Sequence, residues 1–565
     1  MKITGSQAIV KSLIREGAEL IFGYPGGAIM PTYDALYDVK DELHHVLVRH
    51  EQGAAHAAVG YARATGKVGV CIATSGPGAT NLITGMADAL IDAVPMVCIT
   101  GQVFSSLLGT DAFQEADIIG MSVPATKWNY QVTDPKEIPE VFAKAFEIAA
   151  SGKPGPVLVD VTKDAQIGMM EYFEPKMNPK ARWLRKPESV DADIVKAAQM
   201  INHAKRPILI VGHGVMISGA EAEVQALADK TNMPVVSTLL GLSAFPVAHP
   251  LYKGMLGMHG NYAANILCNQ ADVVLAVGMR FDDRVTGNLS NYLNDAKVIH
   301  IEIDQAEINK NVRAAVAIHA DAKEALAKLI VQVKACEHPI WHRTFAEEHQ
   351  KEIDQVIIDE TTPKSGEIKM AETISQLTEK TNGEAIIVTD VGQHQMIAAR
   401  YYRFKDTNSH ITSGGLGTMG FALPAAIGAK MGKSKKQVVA IAGDGGFQMN
   451  IQELAVLKQE GVAVKIIVLN NGYLGMVRQW QELFFEKRYS FTQMLSPDFV
   501  AVAKAYGING QCVTDRKDLD GALDAMLNSE EAFLLEVKVE QQENVFPMVP
   551  AGCSISETKL SREEA

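Results

Sequence analysis

The stretch from Ile441 to Gly475 holds a lone aspartate among glycines, Gly443-Asp444-Gly445-Gly446, and an asparagine pair, Asn470 and Asn471, after the next apolar run. Each group follows a β-branched stretch and so stands where a buried strand ends. In open α/β sheets, ligands gather at the carboxyl ends of strands. One carboxylate and one amide oxygen brought to a point suit Mg2+, which takes one or two side-chain oxygens and fills its octahedron with water and a phosphorylated ligand. Gly443, Gly445 and Gly446 clear side chains from the place where a diphosphate must approach the backbone. A helix starting near Asn450 is expected to offer it unsatisfied N–H groups. Singly, GDG is a tight turn and Asn-Asn-Gly a loop; joined by a helical segment, they read as a metal-diphosphate site.

Positioning such groups takes alternating strands and helices, and the chain supplies them in three series. "VGVCIAT", "PMVCITG" and "GPVLVDV" lie between 68 and 161, separated by Ala-rich amphipathic stretches. "PILIVGHG", "PVVSTLLG", "DVVLAVGM" and "KVIHIEID" follow between 207 and 304. "AIIVTDVG", "QVVAIAGDGG", "VKIIVLNNG" and "AFLLEVKV" complete the third series between 385 and 539. Continuous apolar runs alternating with helical patterns predict parallel sheets covered by helices. The segment 171–193, with three prolines and mixed charge, is expected to join domains, and the polar stretch 334–355 to be a helical connector. The fold class predicted is α/β, with three doubly wound parallel-sheet domains at 1–170, 190–340 and 365–550 and a polar tail at 551–565.

Composition narrows the function classes. A chain of 565 residues at roughly one domain per 150 residues has room for three or four cores. Net charge is −13 without a long run of either sign, which argues against nucleic acid, whose phosphates need a basic patch. Lys11, Arg15 and Glu16 interrupt the amino-terminal apolar pattern, and no apolar run approaches the length of a membrane span, so a cytoplasmic protein is expected. The six cysteines lie far apart with no C-x-x-C pair and read as free thiols.

The GDG and Asn-Asn groups match the thiamine diphosphate motif. "FGYPGGAIMPTYDAL", "RHEQGAAHAAVGYARATGK", "TSGPGATN", "GTDAFQEADIIG", "RFDDRVTG", "TSGGLGTMGFALPAAIGA" and "MVRQWQELFFEKRYS" resemble the catalytic subunits of acetohydroxyacid synthase, or acetolactate synthase, within the pyruvate oxidase and decarboxylase group. The resemblance covers nearly the whole chain. It implies a pyrimidine-binding first domain, a central FAD-contacting domain and a pyrophosphate-binding third domain.

By that resemblance Asp444, Asn471 and the backbone carbonyl of Tyr473 hold Mg2+. Some relatives carry an acidic residue at the Tyr473 position, a difference to which a backbone ligand is indifferent. Val391, Gly392, Gln393, His394, Gly417, Gly443, Gly445, Gly446, Leu474, Gly475 and Met476 line thiamine diphosphate, with Met419 wedged between its rings. Glu51 exchanges the proton at N1′ of the aminopyrimidine. Near the reacting centre the resemblance places Gly27 and Ala28, with Phe113, Gln114 and Lys163 on the substrate side. Trp480 packs on the extra methyl of 2-ketobutyrate, the second substrate favoured over pyruvate.

The central domain lacks G-x-G-x-x-G, so its residues alone make only a weak nucleotide signal. The resemblance assigns FAD without a net redox role to Lys153, Gly212, Gly214, Met258, His259, Gly278, Arg280, Arg284, Glu302 and Asp321. Salt bridges within Arg280-Phe281-Asp282-Asp283-Arg284 are the alternative for that segment. The family is further expected to work as a homodimer or dimer of dimers, with Glu51 of one copy facing Asp444 of another, and to take a small regulatory subunit. Other reactions on the same fold, a flavin-using oxidase or a simple decarboxylase, remain open at this point, as does a non-catalytic cofactor-binding protein.

Overall fold

The computed structural model describes residues 1–175 and 186–564, so part of the expected 171–193 linker lies outside the described residues. Three six-stranded sheets, parallel throughout, form the chain, each sandwiched between helices. The first has the spatial order His44–Leu47, Leu20–Gly23, Gly69–Ala73, Met96–Gln102, Pro156–Thr162, Trp128–Val132. The third runs His410–Thr412, Ile386–Thr389, Val438–Gly443, Lys465–Asn470, Phe533–Lys538, Asn509–Val513. Numbered along the chain within each sheet, both read 2-1-3-4-6-5, so the first and third domains are two copies of one design.

The central sheet differs. Its order is Tyr252–Met255, Val235–Ser237, Pro207–Val211, Val273–Val277, Lys297–Glu302, Val316–His319, or 3-2-1-4-5-6. That order reverses between Pro207–Val211 and Val273–Val277, and the crevice at such a reversal is where doubly wound sheets bind dinucleotides. Both strands are buried along their length, because helices cover both faces and leave no polar side to alternate with.

Helix Glu51–Thr65 of the first domain crosses helix Ala422–Gly432 of the third with almost no side chain between them. Both helices are built mostly from alanine and glycine, which is what lets the backbones meet. The first and third domains thereby share one apolar core.

One local expectation changes. The helix after Gly443 starts at once, at Asp444, and runs to Met449, rather than starting near Asn450. An aspartate is well placed there because its charge meets the positive end of the helix dipole. The carboxyl tail packs on the central domain: Ser554 pairs with Gly287, and Asn269 donates to Ser554 and Ser556. Cys71 and Cys98 sit on neighbouring strands with sulfurs 3.3 Å apart, as free thiols in the core. No helix among the described residues is long and apolar enough to cross a membrane.

Candidate active site

In the third sheet, Ile386–Thr389, Val438–Gly443 and Lys465–Asn470 are consecutive neighbours, and Gly443 lies opposite Leu469. Asp444 and Asn471 therefore leave adjacent strands side by side. Asp444 is 1% exposed, and its Oδ2 accepts from the Ser496 hydroxyl at 2.8 Å. Asn471 is buried as well; its Oδ1 accepts from the Tyr473 amide at 3.1 Å, and its amide donates to Gln393 Oε1 at 3.3 Å. Burial raises the Asp444 carboxyl, the Ser496 hydroxyl and nearby amides working against it. A cation bound there would favour the charged form. Among the described residues no three His, Cys, Asp or Glu side chains cluster as metal ligands. The carboxylate of Asp444 and the amide of Asn471 are oxygen donors that would fit a hard cation completed by water and phosphate.

The glycines divide into two kinds. A Cβ at Gly445 would meet Leu474 at 2.8 Å and come within 3.6 Å of the Met419 methyl, so Gly445 faces the apolar wall made by Met419 and Leu474. A Cβ at Gly443 would stand 2.8 Å from His394 Nδ1. Gly446 is glycine for another reason: its Cβ would run into the Asp390 carboxylate. Gly475 likewise lies against Gln393 and Asn471. Gln393 is fixed by its amide, which donates to Gln479 Oε1 at 3.0 Å and to the Glu543 carbonyl at 2.8 Å. His394 is pushed down to about 3 by burial, and its Nε2 is buried with no hydrogen-bond partner, a neutral ring with a spare group beside the glycines.

Asp390 escaped the sequence reading. It is 1% exposed and accepts from the amides of Val391, Gly420 and Ala422, which ties the end of one strand to the segment just past Met419. The signal was available: Asp390 ends an apolar run just as Asp444 does.

The first domain organises its residues around one loop. Thr74 Oγ1 accepts from the Ala28 amide at 3.2 Å, beside Gly27, which is open to solvent. Gly76 leaves room for the Gln114 backbone, whose φ is 60°. Asn81 donates to Glu51 Oε2 at 2.9 Å, and Gly78 borders Oε1. The segment "TSGPGATN" is therefore the hub that Glu51, Gln114 and the Gly27 loop share. Phe113 stands 88% exposed, and the Lys163 ammonium lies 5.9 Å from the Phe104 ring centre. The side-chain hydrogen-bond partners of Glu51 and of Asp444 each come from their own domain.

A cavity of about 900 Å³ opens where the central and third domains meet, with residues 91–93 and 150–154 of the first domain also in its wall. Its central-domain wall includes Lys153 (reaching over from the first domain), Gly214, Met258, His259, Gly278, Arg280, Arg284, Glu302 and Asp321. Its far wall includes Val391, Gly392, Gly417, Met419, Met476 and Trp480. Gly212 does not line it but packs on Gly278 below, where a side chain would collide with the Gly278 carbonyl. Gly214 and Gly278 meet at the sheet reversal itself; a Cβ on either would stand 2.6 Å from the other's Cα.

The polar groups of that wall are partly engaged. Arg280 pairs with Asp282 at 3.4 Å and Arg284 with Asp283 at 3.8 Å, both at partly exposed positions where such pairs are weak and exchangeable. Lys153 pairs with Asp304 and Glu307, and Asp321 caps a helix while accepting from Ser218 and Lys186. Burial pushes Glu302 up to about 7. His259 is pushed down to about 4 by burial, and neither ring nitrogen has a partner. A cavity of this size, at this sheet reversal, with an orphaned imidazole in its wall and guanidinium forks at its edge, fits a dinucleotide.

Three family models match in chain order: thiamine pyrophosphate enzyme, N-terminal TPP binding domain, over 3–121; central domain over 194–329; and C-terminal TPP binding domain over 390–537. The acetolactate synthase isozyme 2 large subunit of Escherichia coli is 47% identical over 98% of this chain and 99% of its own length. The acetolactate synthase large subunit of Lactococcus lactis is 44% identical over 97% of this chain and 95% of its own. The probable acetolactate synthase large subunit of Methanocaldococcus jannaschii is 45% identical over 97% and 94%. With the three domains, the thiamine-type strand ends and this full-length likeness together, the chain belongs to the acetolactate synthase large-subunit family of thiamine pyrophosphate enzymes.

Proposed function

We propose that the chain is the catalytic subunit of an acetolactate synthase. It decarboxylates pyruvate and joins the two-carbon unit to a second pyruvate, giving 2-acetolactate, or to 2-ketobutyrate, giving 2-aceto-2-hydroxybutyrate. This is the first common step of branched-chain amino acid biosynthesis. The observation that carries the reading is the meeting of Asp444, Asn471 and Gly445 at adjacent strand ends, beside Met419, which together with Trp480 lines the cavity. Thiamine diphosphate supplies the electron sink for loss of CO2.

The chain's own residues orient and move protons. Asp444, Asn471 and the Tyr473 carbonyl would hold Mg2+, and Gln393, His394, Gly443 and Gly446 would border the diphosphate. Val391, Gly392, Gly417, Leu474, Gly475 and Met476 shape the walls. Glu51, kept in one orientation by Asn81, exchanges a proton at the aminopyrimidine. Met419, beside Gly445, would support the cofactor, and Trp480 selects the second ketoacid. Gly27, Phe113, Gln114 and Lys163 close the substrate side. Lys153, Arg280, Arg284, Glu302 and Asp321 would hold the polar groups of FAD in the cavity, and Met258 and His259 would border its ring.

Two copies make the site. Phe113, Phe491 and Leu495 are 88, 98 and 99% exposed, which supports a second copy covering them. A small regulatory subunit and a cytoplasmic setting complete the proposal. The test is product analysis after incubation with pyruvate, Mg2+, thiamine diphosphate and FAD. Acetolactate, converted by acid to acetoin, is the expected product, lost when FAD is omitted. Acetaldehyde or acetate in its place would overturn the carboligase reading.

A further inference from the structure

Helix Ile83–Ile91 of the first domain brings two carboxylates, Asp88 and its C-cap Asp92, against a loop of the third. They are 1% and 4% exposed. Asp92 accepts from the amides of Gly414 and Gly415, each at 2.8 Å. Asp88 accepts from the Ser413 hydroxyl, whose oxygen accepts in turn from the Thr418 amide at 2.8 Å. The 413–418 loop is thus gripped at both ends. Arg63, buried in helix Glu51–Thr65, donates to the carbonyls of Thr412 at 2.8 Å and His410 at 3.3 Å on the strand that feeds the loop, and stands 3.9 Å from Asp92. The Asp92 carbonyl accepts from His213 of the central domain at 3.0 Å.

These groups do not touch the metal site. What they hold is backbone, and that backbone runs through Gly417 into Met419. The grip also explains Gly415, where a Cβ would stand 2.8 Å from Asp92 Oδ1. Adhesion between domains needs no such arrangement, since apolar contact does that work at lower desolvation cost. Here Asp88 Oδ2 and His56 Nδ1 lie 3.8 Å apart, both buried and without a hydrogen-bond partner, so the cluster is poor as a source of stability. Directional bonds to successive backbone amides instead fix a loop in one geometry.

We infer that Asp92, with Asp88 and Arg63, is a positioning residue for the thiamine site: the first domain sets the 413–418 loop of the third, and through it Gly417 and the Met419 wedge. The inference rests on the assignment of Gly417 and Met419 to that cofactor.

Asp92→Asn and Ser413→Ala, in the full-length chain with Mg2+, thiamine diphosphate and FAD, provide the test. Two readouts are taken: amide hydrogen exchange of segment 413–420 without substrate, and kcat and KM for pyruvate. Loss of one such bond is worth about tenfold. Exchange across 413–420 is therefore expected to rise by about tenfold in Asp92→Asn, with segment 436–443 unchanged and kcat falling more than KM moves. Ser413→Ala is expected to do the same more weakly, and it carries the test if Asp92→Asn does not fold. Unchanged exchange in 413–420, equal acceleration in both segments, or faster loop exchange at full kcat would each overturn the inference. A wild type that makes no acetolactate would defeat the proposed reaction while leaving the exchange comparison to judge the clamp.

Discussion

Gly60 lies in direct backbone contact with Ala425 where helices Glu51–Thr65 and Ala422–Gly432 cross, and a methyl group at Gly60 would overlap the Ala425 carbonyl. Gly428 stands in the same relation to Ala57, so the crossing is closed from both sides. Gly60→Ala is expected to lower stability by about 3 kcal/mol, because backbone rather than a flexible side chain must move. Gly521, inside helix Arg516–Asn528 with open space around it, makes the contrasting case. Gly521→Ala is expected to raise stability by about 0.5–1 kcal/mol. Thermal unfolding of the two variants checks both signs.

What the sequence made legible follows burial. The interior strands of all three sheets, apart from Leu20–Gly23, stand out as apolar runs. All six edge strands go unnoticed: His44–Leu47, Trp128–Val132, Tyr252–Met255, Val316–His319, His410–Thr412 and Asn509–Val513. An edge strand is short and only partly covered, so His44, Trp128 or Asn509 serve there as well as valine and no run marks it. The site divides in the same way. Asp444 and Asn471 announce themselves by following buried strands, whereas Glu51 is one helical carboxylate among many until Asn81 and Gly78 are seen beside it. Asp390 ends an apolar run as Asp444 does and could have been read the same way, whereas the Asp88–Asp92 pair acts on backbone far away in sequence, which no local pattern records.

Glu51 bears the proton transfer in the proposed mechanism. Glu51→Gln keeps the Asn81 contact and the volume but removes the exchangeable charge. Turnover is expected to fall by about 10²–10⁴-fold, the usual share of a general acid–base group, with thiamine diphosphate affinity nearly intact. Asn81→Ala leaves the carboxylate unoriented, and a smaller loss is expected. Steady-state rates beside calorimetric titration of the cofactor separate the two effects, and full activity in Glu51→Gln would end the assignment.

Glu352 and Arg400 form a buried ion pair at 2.7 Å, with Asn261 and the Tyr262 amide also bonded to the carboxylate. Burial opposes its ionisation, but Arg400 and the hydrogen bonds outweigh it and hold Glu352 down at about 2. A depressed carboxyl contributes stability that is complete above its ordinary value near 4.5 and is lost as pH falls toward 2. Glu352→Gln leaves the guanidinium buried and unpaired, at a cost of about 3–5 kcal/mol near neutral pH. The melting-temperature gap between wild type and Glu352→Gln should therefore be widest near neutrality and shrink as pH is lowered below about 4.5. A gap that grows on acidification would contradict the pairing.

Trp480 governs the choice of second ketoacid if the cavity works as proposed. Its indole lines the wall beside Met476 and Val477, with Met419 also on the cavity, and its ring is braced edge-on by Phe484 at 5.9 Å between centroids. The helix Gly475–Phe484 therefore presents a flat, held surface rather than a mobile side chain. 2-Ketobutyrate differs from pyruvate by one methylene, and a methylene in an apolar pocket is worth about 1–3 kcal/mol. Trp480→Leu removes the flat surface without placing a polar group in the wall. The ratio of 2-aceto-2-hydroxybutyrate to 2-acetolactate formed from mixed ketoacids should then fall by about tenfold or more, while pyruvate consumption changes little. The two effects are separable because the first ketoacid reacts before the second is chosen. Equal loss of both products would mean that Trp480 supports the fold of the helix, and an unchanged ratio would place the discrimination elsewhere on the cavity wall.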